Sequence, residues 1–148
     1  MTRESSMHGK PDRASRFCLI AAIAIAVCPA LVQGCRRTPR ELVADSGNVI
    51  VAAPTAGSVV SSPVTVRGRA RVFEAALNGR IVTKSGNVLG EAYFMADAGG
   101  PEFGNFDAEI AFKMSRSAES GYVEVFARSA KDGAIIDLVR VPVRLRGR

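Results

Sequence analysis

Nucleophilic hydrolysis by a Ser-His-Asp or Cys-His arrangement needs a histidine, and the chain has one histidine, His8, and three cysteines, Cys18, Cys28 and Cys35. From Arg36 to Arg148 there is neither, so no Ser-His-Asp or Cys-His arrangement can be built there. Disulfides within that stretch and cysteine metal sites are excluded on the same ground. The carboxylates remain. Asp97, Glu102, Asp107 and Glu109 lie close in sequence and are of the type that shares general acid and base work, but Asp107 and Glu109 fall on the polar phase of a strand, where charge serves solubility. The run Asp97-Ala98-Gly99-Gly100-Pro101-Glu102 offers oxygen atoms to calcium without the regular acidic spacing of calcium loops, and it reads as a surface loop. No catalytic residue, metal ligand or cofactor is assigned, and the chain reads as a non-enzyme.

Two rows of arginine carry the basic surplus. Arg67, Arg69 and Arg71 recur at every second position, as do Arg140, Arg144 and Arg146 along a later stretch with one step skipped. One reading is a contact surface for an anionic polymer or lipid headgroups. The other is cross-strand pairing with Asp107, Glu109 and Glu124, which occupy the matching polar phase of other strands. Tyr93, Met95, Tyr122 and Phe126 fall on the nominally outward phase, where aromatic side chains mark an interface unless something covers them. Arg67, Arg69, Arg71, Tyr93, Tyr122 and Phe126 are therefore the candidate binding surface. The expected partner is an envelope protein or a cell-wall polymer such as peptidoglycan or surface glycan.

Cys35 has a different chemistry in prospect. It ends the apolar run Phe17 to Gly34, which follows Lys10, Arg13 and Arg16. A basic flank, an apolar stretch and small residues at a processing point form the order of a secretory signal. The sixteen residues between Arg16 and Gln33 fall short of the roughly 20 that span a bilayer as a helix, and Pro29 shortens the helix further. Val32-Gln33-Gly34-Cys35 resembles the lipobox of bacterial lipoproteins, with Gln33 where that family has a small residue. The resemblance implies lipidation of the Cys35 sulfur and cleavage before it, and two or more acyl chains hold a protein stably on a membrane. The alternatives are an uncleaved anchor helix over residues 17–34 and an ordinary cleaved signal. All three place the rest of the chain outside the cytoplasm, and the lipid or the anchor helix would hold it at the membrane of the cell envelope.

These groups need a scaffold, and the 113 residues after Cys35 suffice for one domain. Removing residues 1–35 takes four basic and two acidic side chains, so the net charge falls from +6 to +4. That is mildly basic, without the dense patch or motif of a nucleic-acid binder. Residues 36–47, short and polar with Pro39, read as a flexible tether, and the domain as residues 48–148. From Asn48 the apolar residues repeat with period two between turn residues, which predicts an all-β domain. Val49 to Ala52 is a first strand. Val64 to Val72 alternates with apolar or small residues on even numbers, whereas Phe73, Ala75 and Leu77 move them to odd numbers. That flip predicts a bulge or a strand changing sheets. Residues 80–84 and 87–96 form a hairpin across Ser85-Gly86, and residues 97–104 a loop. Strands follow over Phe106 to Phe112, over Val123 to Ala127 and, after the Lys131-Asp132-Gly133 turn, over Val139 to Leu145. About seven antiparallel strands without a helix fit a two-sheet sandwich.

The segment Ser61-Ser62-Pro63-Val64-Thr65-Val66-Arg67-Gly68-Arg69-Ala70-Arg71-Val72-Phe73-Glu74-Ala75 resembles the signature of the immunoglobulin-like domain of bacterial spore germination. The resemblance continues through Gly104-x-Phe106 and Ser129-x-Lys131-Asp132-Gly133 and covers about residues 48–146. It implies an immunoglobulin-like β-sandwich outside the cytoplasm, often carried on lipoproteins, that binds another envelope component. Gly68 is expected to serve close packing, Pro63 a strand entrance, and Glu74 bonding to local backbone amides.

Overall fold

The computed structural model describes residues 40–114 and 118–147. The chain divides into two units, Met1–Cys35 and Arg36–Arg148. The export segment, His8 and Cys35 lie outside the described residues, and the fold is that of the second unit.

Nine strands follow in chain order: β1 (Leu42–Val43), β2 (Val49–Ala53), β3 (Val59–Ser61), β4 (Val64–Ala70), β5 (Ala76–Thr83), β6 (Val88–Met95), β7 (Gly104–Ile110), β8 (Ala118–Arg128) and β9 (Ile135–Arg146). They form a four-stranded sheet in the order β1-β2-β4-β7 and a five-stranded sheet in the order β3-β9-β8-β5-β6. The period-two pattern is what makes the sandwich: Val49, Val66 and Ile110 from one sheet and Leu77, Val123, Val141 and Leu145 from the other have no exposed surface and fill the space between them. Each such side chain contributes about 1.5–3 kcal/mol by leaving water.

The seven antiparallel strands expected from the pattern are β2 and β4 through β9. The two additions are short. β1 arises inside residues 36–47, where Leu42 and Val43 pair with Val51 and Ile50, and β3 pairs with the end of β9 in parallel. Two or three residues carry no readable period, and a parallel partner distant in sequence leaves no local signal.

The flip at Val72-Phe73 is the crossing from the four-stranded to the five-stranded sheet. A single 3-10 turn, Phe73–Ala75, makes it, with Glu74 and Ala75 at φ of 52° and 57°. Side-chain-bearing residues are uncommon in that region, and the neighbourhood fixes them there. Gly100 donates its N–H to the Val72 carbonyl at 2.9 Å, and Ala96 donates to Ala75 at 3.0 Å. Asp137, also at positive φ where β9 bulges against β8, joins the sheets by accepting bonds from the Ser46 hydroxyl and the Asn48 side-chain amide. The turn before β9 is tied by Asp132, whose carboxyl is held below the usual range by the Ser129 hydroxyl and then by the Ala134 N–H.

The sandwich has two distinguishable ends. The crossing at Phe73, the loop before β7 and the turn before β9 lie at the upper end. The turn between β5 and β6 and the last residues of β9 lie at the lower end, because Thr83 pairs with Gly121 and Gly121 with Val143. β2 runs downward from Val49, opposite Ala70, so β1, antiparallel to it, brings the chain in from below.

Candidate interaction surfaces

β8 runs through the interior of the five-stranded sheet; its outward residues Tyr122 and Glu124 each face residues of β5 and β9, and Phe126 faces Asn78 of β5. The registers align Glu91, Arg80, Glu124 and Arg140 as one row across four strands. Arg80 donates from Nε to Glu124 Oε2 and Arg140 from Nε to Oε1, both at 2.6 Å. The Glu124 side chain is 0% exposed, against 24% for Arg80 and 54% for Arg140. A carboxylate stripped of water is costly unless it is paired and bonded, and two charge-assisted bonds on separate oxygens satisfy it here. The guanidiniums also stack: Arg140 lies 5.1 Å from the Tyr122 ring centre, and Arg80 and Arg128 lie 5.1 and 5.3 Å from that of Phe126. Phe126 thus faces outward on its strand and is still fully buried.

Below that row the face changes. Arg144 has Ser120 on one side and Val59 on the other, and Arg146 has Ala118 and Ser61. Lys84 bonds the Ser120 carbonyl through its backbone N–H at 3.0 Å. Lys84, Ser120, Tyr122, Pro142 and Arg144 border a shallow hollow of roughly 320 Å³. None of the lateral neighbours of Arg144 and Arg146 is a carboxylate. Glu119 lies on the opposite phase of β8, across from Leu145.

The four-stranded sheet carries Arg67, Arg69 and Arg71 on its own outer face and upper edge. Arg67 lies opposite Asp107 on β7 and bonds it at 2.8 Å, with both side chains about 60% exposed. Arg69 reaches Glu41 at 3.6 Å. Arg71 donates to Asn48 Oδ1 at 3.2 Å and lies 4.9 Å from the Phe103 ring centre. An open groove of roughly 580 Å³ runs between Arg67, Arg69, Asp97, Asn105 and Asp107. Glu109 stands opposite Thr65. Asp97 is engaged at the loop base, accepting from the Asn105 N–H at 2.6 Å and its amide at 3.2 Å. Among the described residues no three His, Cys, Asp or Glu side chains gather as a metal site would require.

The six candidate surface residues therefore divide between the two outer faces. Arg67, Arg69 and Arg71 belong to the four-stranded sheet, and Tyr93, Tyr122 and Phe126 to the five-stranded one. Of the aromatic three, Tyr93 on the edge strand β6 is exposed, Tyr122 is half-covered by Arg140, and Phe126 is closed off. Cross-strand pairing accounts for Arg67 and Arg140. It does not reach Arg144 or Arg146 among the described residues. The Arg80 contribution is not legible in the sequence because the alignment of β5 with β8 follows only from the assembled sheet, and Arg128, on β8 itself, reaches Phe126 two positions before it.

The signature residues have identifiable duties. An added Cβ on Gly68 would press into the Ile50 carbonyl oxygen and come within 2.5 Å of Phe106 Cζ, so β4 needs glycine to pack between β2 and β7. Pro63 precedes β4 and, with Leu89, Phe112 and Met114, borders a hollow of roughly 710 Å³ at the lower end. Glu74 is an exposed residue of the crossing turn, and no side-chain bond from it to a backbone amide is present among the described residues.

Neither a curated protein nor a solved structure matches the chain. A family model does, that of the immunoglobulin-like domain of bacterial spore germination, over residues 48–134. That match takes in more than half of the chain, from the start of β2 to the turn before β9, and the chain belongs to this family.

Proposed function

We propose that the protein is a lipid-anchored, non-enzymatic binding or scaffolding domain of the bacterial cell envelope, held outside the cytoplasm by acyl chains on Cys35. One observation carries this reading: a basic flank, an apolar run and Gly34-Cys35 precede an immunoglobulin-like domain of the bacterial spore germination family that has no cysteine or histidine of its own. Cys35 is then the one thiol left in the processed protein, and anchoring is the chemistry open to it. The stacked and ion-paired outer faces support a rigid binding platform rather than a reaction centre.

Growth with a labelled fatty acid tests the anchor. Wild type should take up label and stay with the membrane fraction, and Cys35→Ala should lose the label. Equal retention without label in either protein would remove the lipid from the account. Binding to peptidoglycan or surface glycan is the second reading, favoured by exposed Tyr93 on the same face as Tyr122. It draws on that face alone, since Arg67 and Arg69 lie on the other. Residues 36–148 remaining in the supernatant over purified cell wall would count against it.

A further inference from the structure

We infer that the lower half of the five-stranded face docks on anionic phospholipid headgroups and so orients the domain on the membrane that holds it. The inference takes its proximity to lipid from the anchor proposed above. Three features converge on one end of the molecule. Lys84 and Arg144 are exposed there beside the hollow over Ser120, Arg146 is exposed two positions further along β9, and the residues beside the two arginines are Ser120, Val59, Ala118 and Ser61. Elsewhere on the two faces, arginines find carboxylates: Arg80 and Arg140 share Glu124, Arg128 reaches Glu91, Arg67 reaches Asp107 and Arg69 reaches Glu41. Arg71, at the upper edge, bonds the Asn48 amide oxygen and stacks on Phe103 instead. Among the described residues of the two faces, the arginines left with neither a carboxylate nor an amide partner are thus Arg144 and Arg146 at the lower end, where phosphate oxygens complement them. Val59, 55% exposed beside Arg144, adds an apolar contact suited to the headgroup boundary.

The path of the chain selects a membrane over a free polymer. β1 enters from the lower end and packs over β9, the strand that bears Arg144 and Arg146. From Cys35 to Leu42 an extended chain spans at most about 25 Å, so acyl chains on Cys35 would hold the domain within that reach of the lipid surface. A wall polymer would have no such tether to the domain.

Vesicle flotation with unacylated residues 36–148 tests the inference, since the core described above lies wholly within that segment. Wild type should float with phosphatidylglycerol-containing vesicles at low salt, release as salt rises and ignore pure phosphatidylcholine. Each basic residue near an anionic surface accounts for about fivefold in affinity. The triple variant Lys84→Ala, Arg144→Ala, Arg146→Ala should therefore bind about a hundredfold more weakly, and Arg144→Glu alone roughly twentyfold. Arg67→Ala with Arg69→Ala, on the opposite face, should bind as wild type. Undiminished binding by the triple variant, equal binding to neutral vesicles, or binding to an anionic wall polymer with none to vesicles would each overturn it. The protein used carries no acyl chain, so a failed fatty-acid label and a failed flotation are separate results.

Discussion

On the four-stranded face Arg67 meets Asp107 with both side chains largely in water, whereas on the five-stranded face Arg80 and Arg140 close over a Glu124 that touches no water at all. The pairs are alike in chemistry and differ in position. Asp107 sits on β7, an edge strand with one neighbour, and Glu124 on β8, with a strand on each side and an arginine on each of those. Burial on an outer face comes from long side chains folding over a central strand, and the guanidiniums of Arg80 and Arg128 lie over Phe126 in the same way. Electrostatics on this sandwich is therefore structural at the middle of the five-stranded sheet and superficial on the four-stranded one.

The sharpest way to break that comparison is Glu124→Ala. Removing one partner of a buried ionic cluster leaves the rest uncompensated, at a cost of about 3–5 kcal/mol. The lower part of that range is expected, since Arg140 can turn toward solvent. Urea unfolding should show a lower midpoint at unchanged slope. Replacing the whole cluster, as Arg80→Met, Glu124→Leu and Arg140→Met, should recover most of the loss, because apolar substitutes of similar volume need no desolvation of charge. A fall of under about 1 kcal/mol for Glu124→Ala would mean that the cluster does not hold the face together.

Next in size is Phe126→Ala, expected to cost about 3 kcal/mol in the same assay, as for a large buried aromatic. Its counterpart is Phe103 on the other side, which also lies beneath arginines but is 41% exposed. Phe103→Ala should stay below about 1 kcal/mol, as surface changes do. Comparable losses at the two positions would erase the distinction between the faces. Gly68→Ala follows, at about 1–3 kcal/mol for a methyl forced against backbone. It strikes the four-stranded sheet through packing, where charge contributes little.

What could be read from the sequence follows the range of each interaction. Period-two alternation is local, so the seven longer strands and the sheet change at Val72-Phe73 were legible, and so was the packing duty of Gly68. β1 was not, because Leu42-Val43 is too short to show a period and lies among polar residues that suggest a tether. The candidate surface was legible as residue types but not as a place. Arg67 and Tyr93 share an outward phase, yet phase cannot say which sheet a strand joins. Phe126 shows the same limit: its outward phase was readable, while its cover comes from Arg80, more than forty positions earlier in the chain. Glu74 went the other way, since its place in the crossing turn rests on backbone held by Gly100 and Ala96 rather than on its own side chain.

The smallest effect is also the cleanest control. Arg67→Ala and Asp107→Ala, alone and together, form a double-mutant cycle on the exposed pair, and its coupling should be about 0.2–1 kcal/mol. Both side chains are about 60% exposed, so water and salt already screen most of the attraction. The coupling should fade as salt is added, while the loss from Glu124→Ala, buried away from ions, should hardly move. A coupling at Arg67–Asp107 that rivals the Glu124 loss and survives high salt would show that exposure does not set the strength of charge pairs on this sandwich. The two faces would then differ in geometry alone, and the unanswered cations at the lower end of β9 would lose their distinction from the paired ones above them.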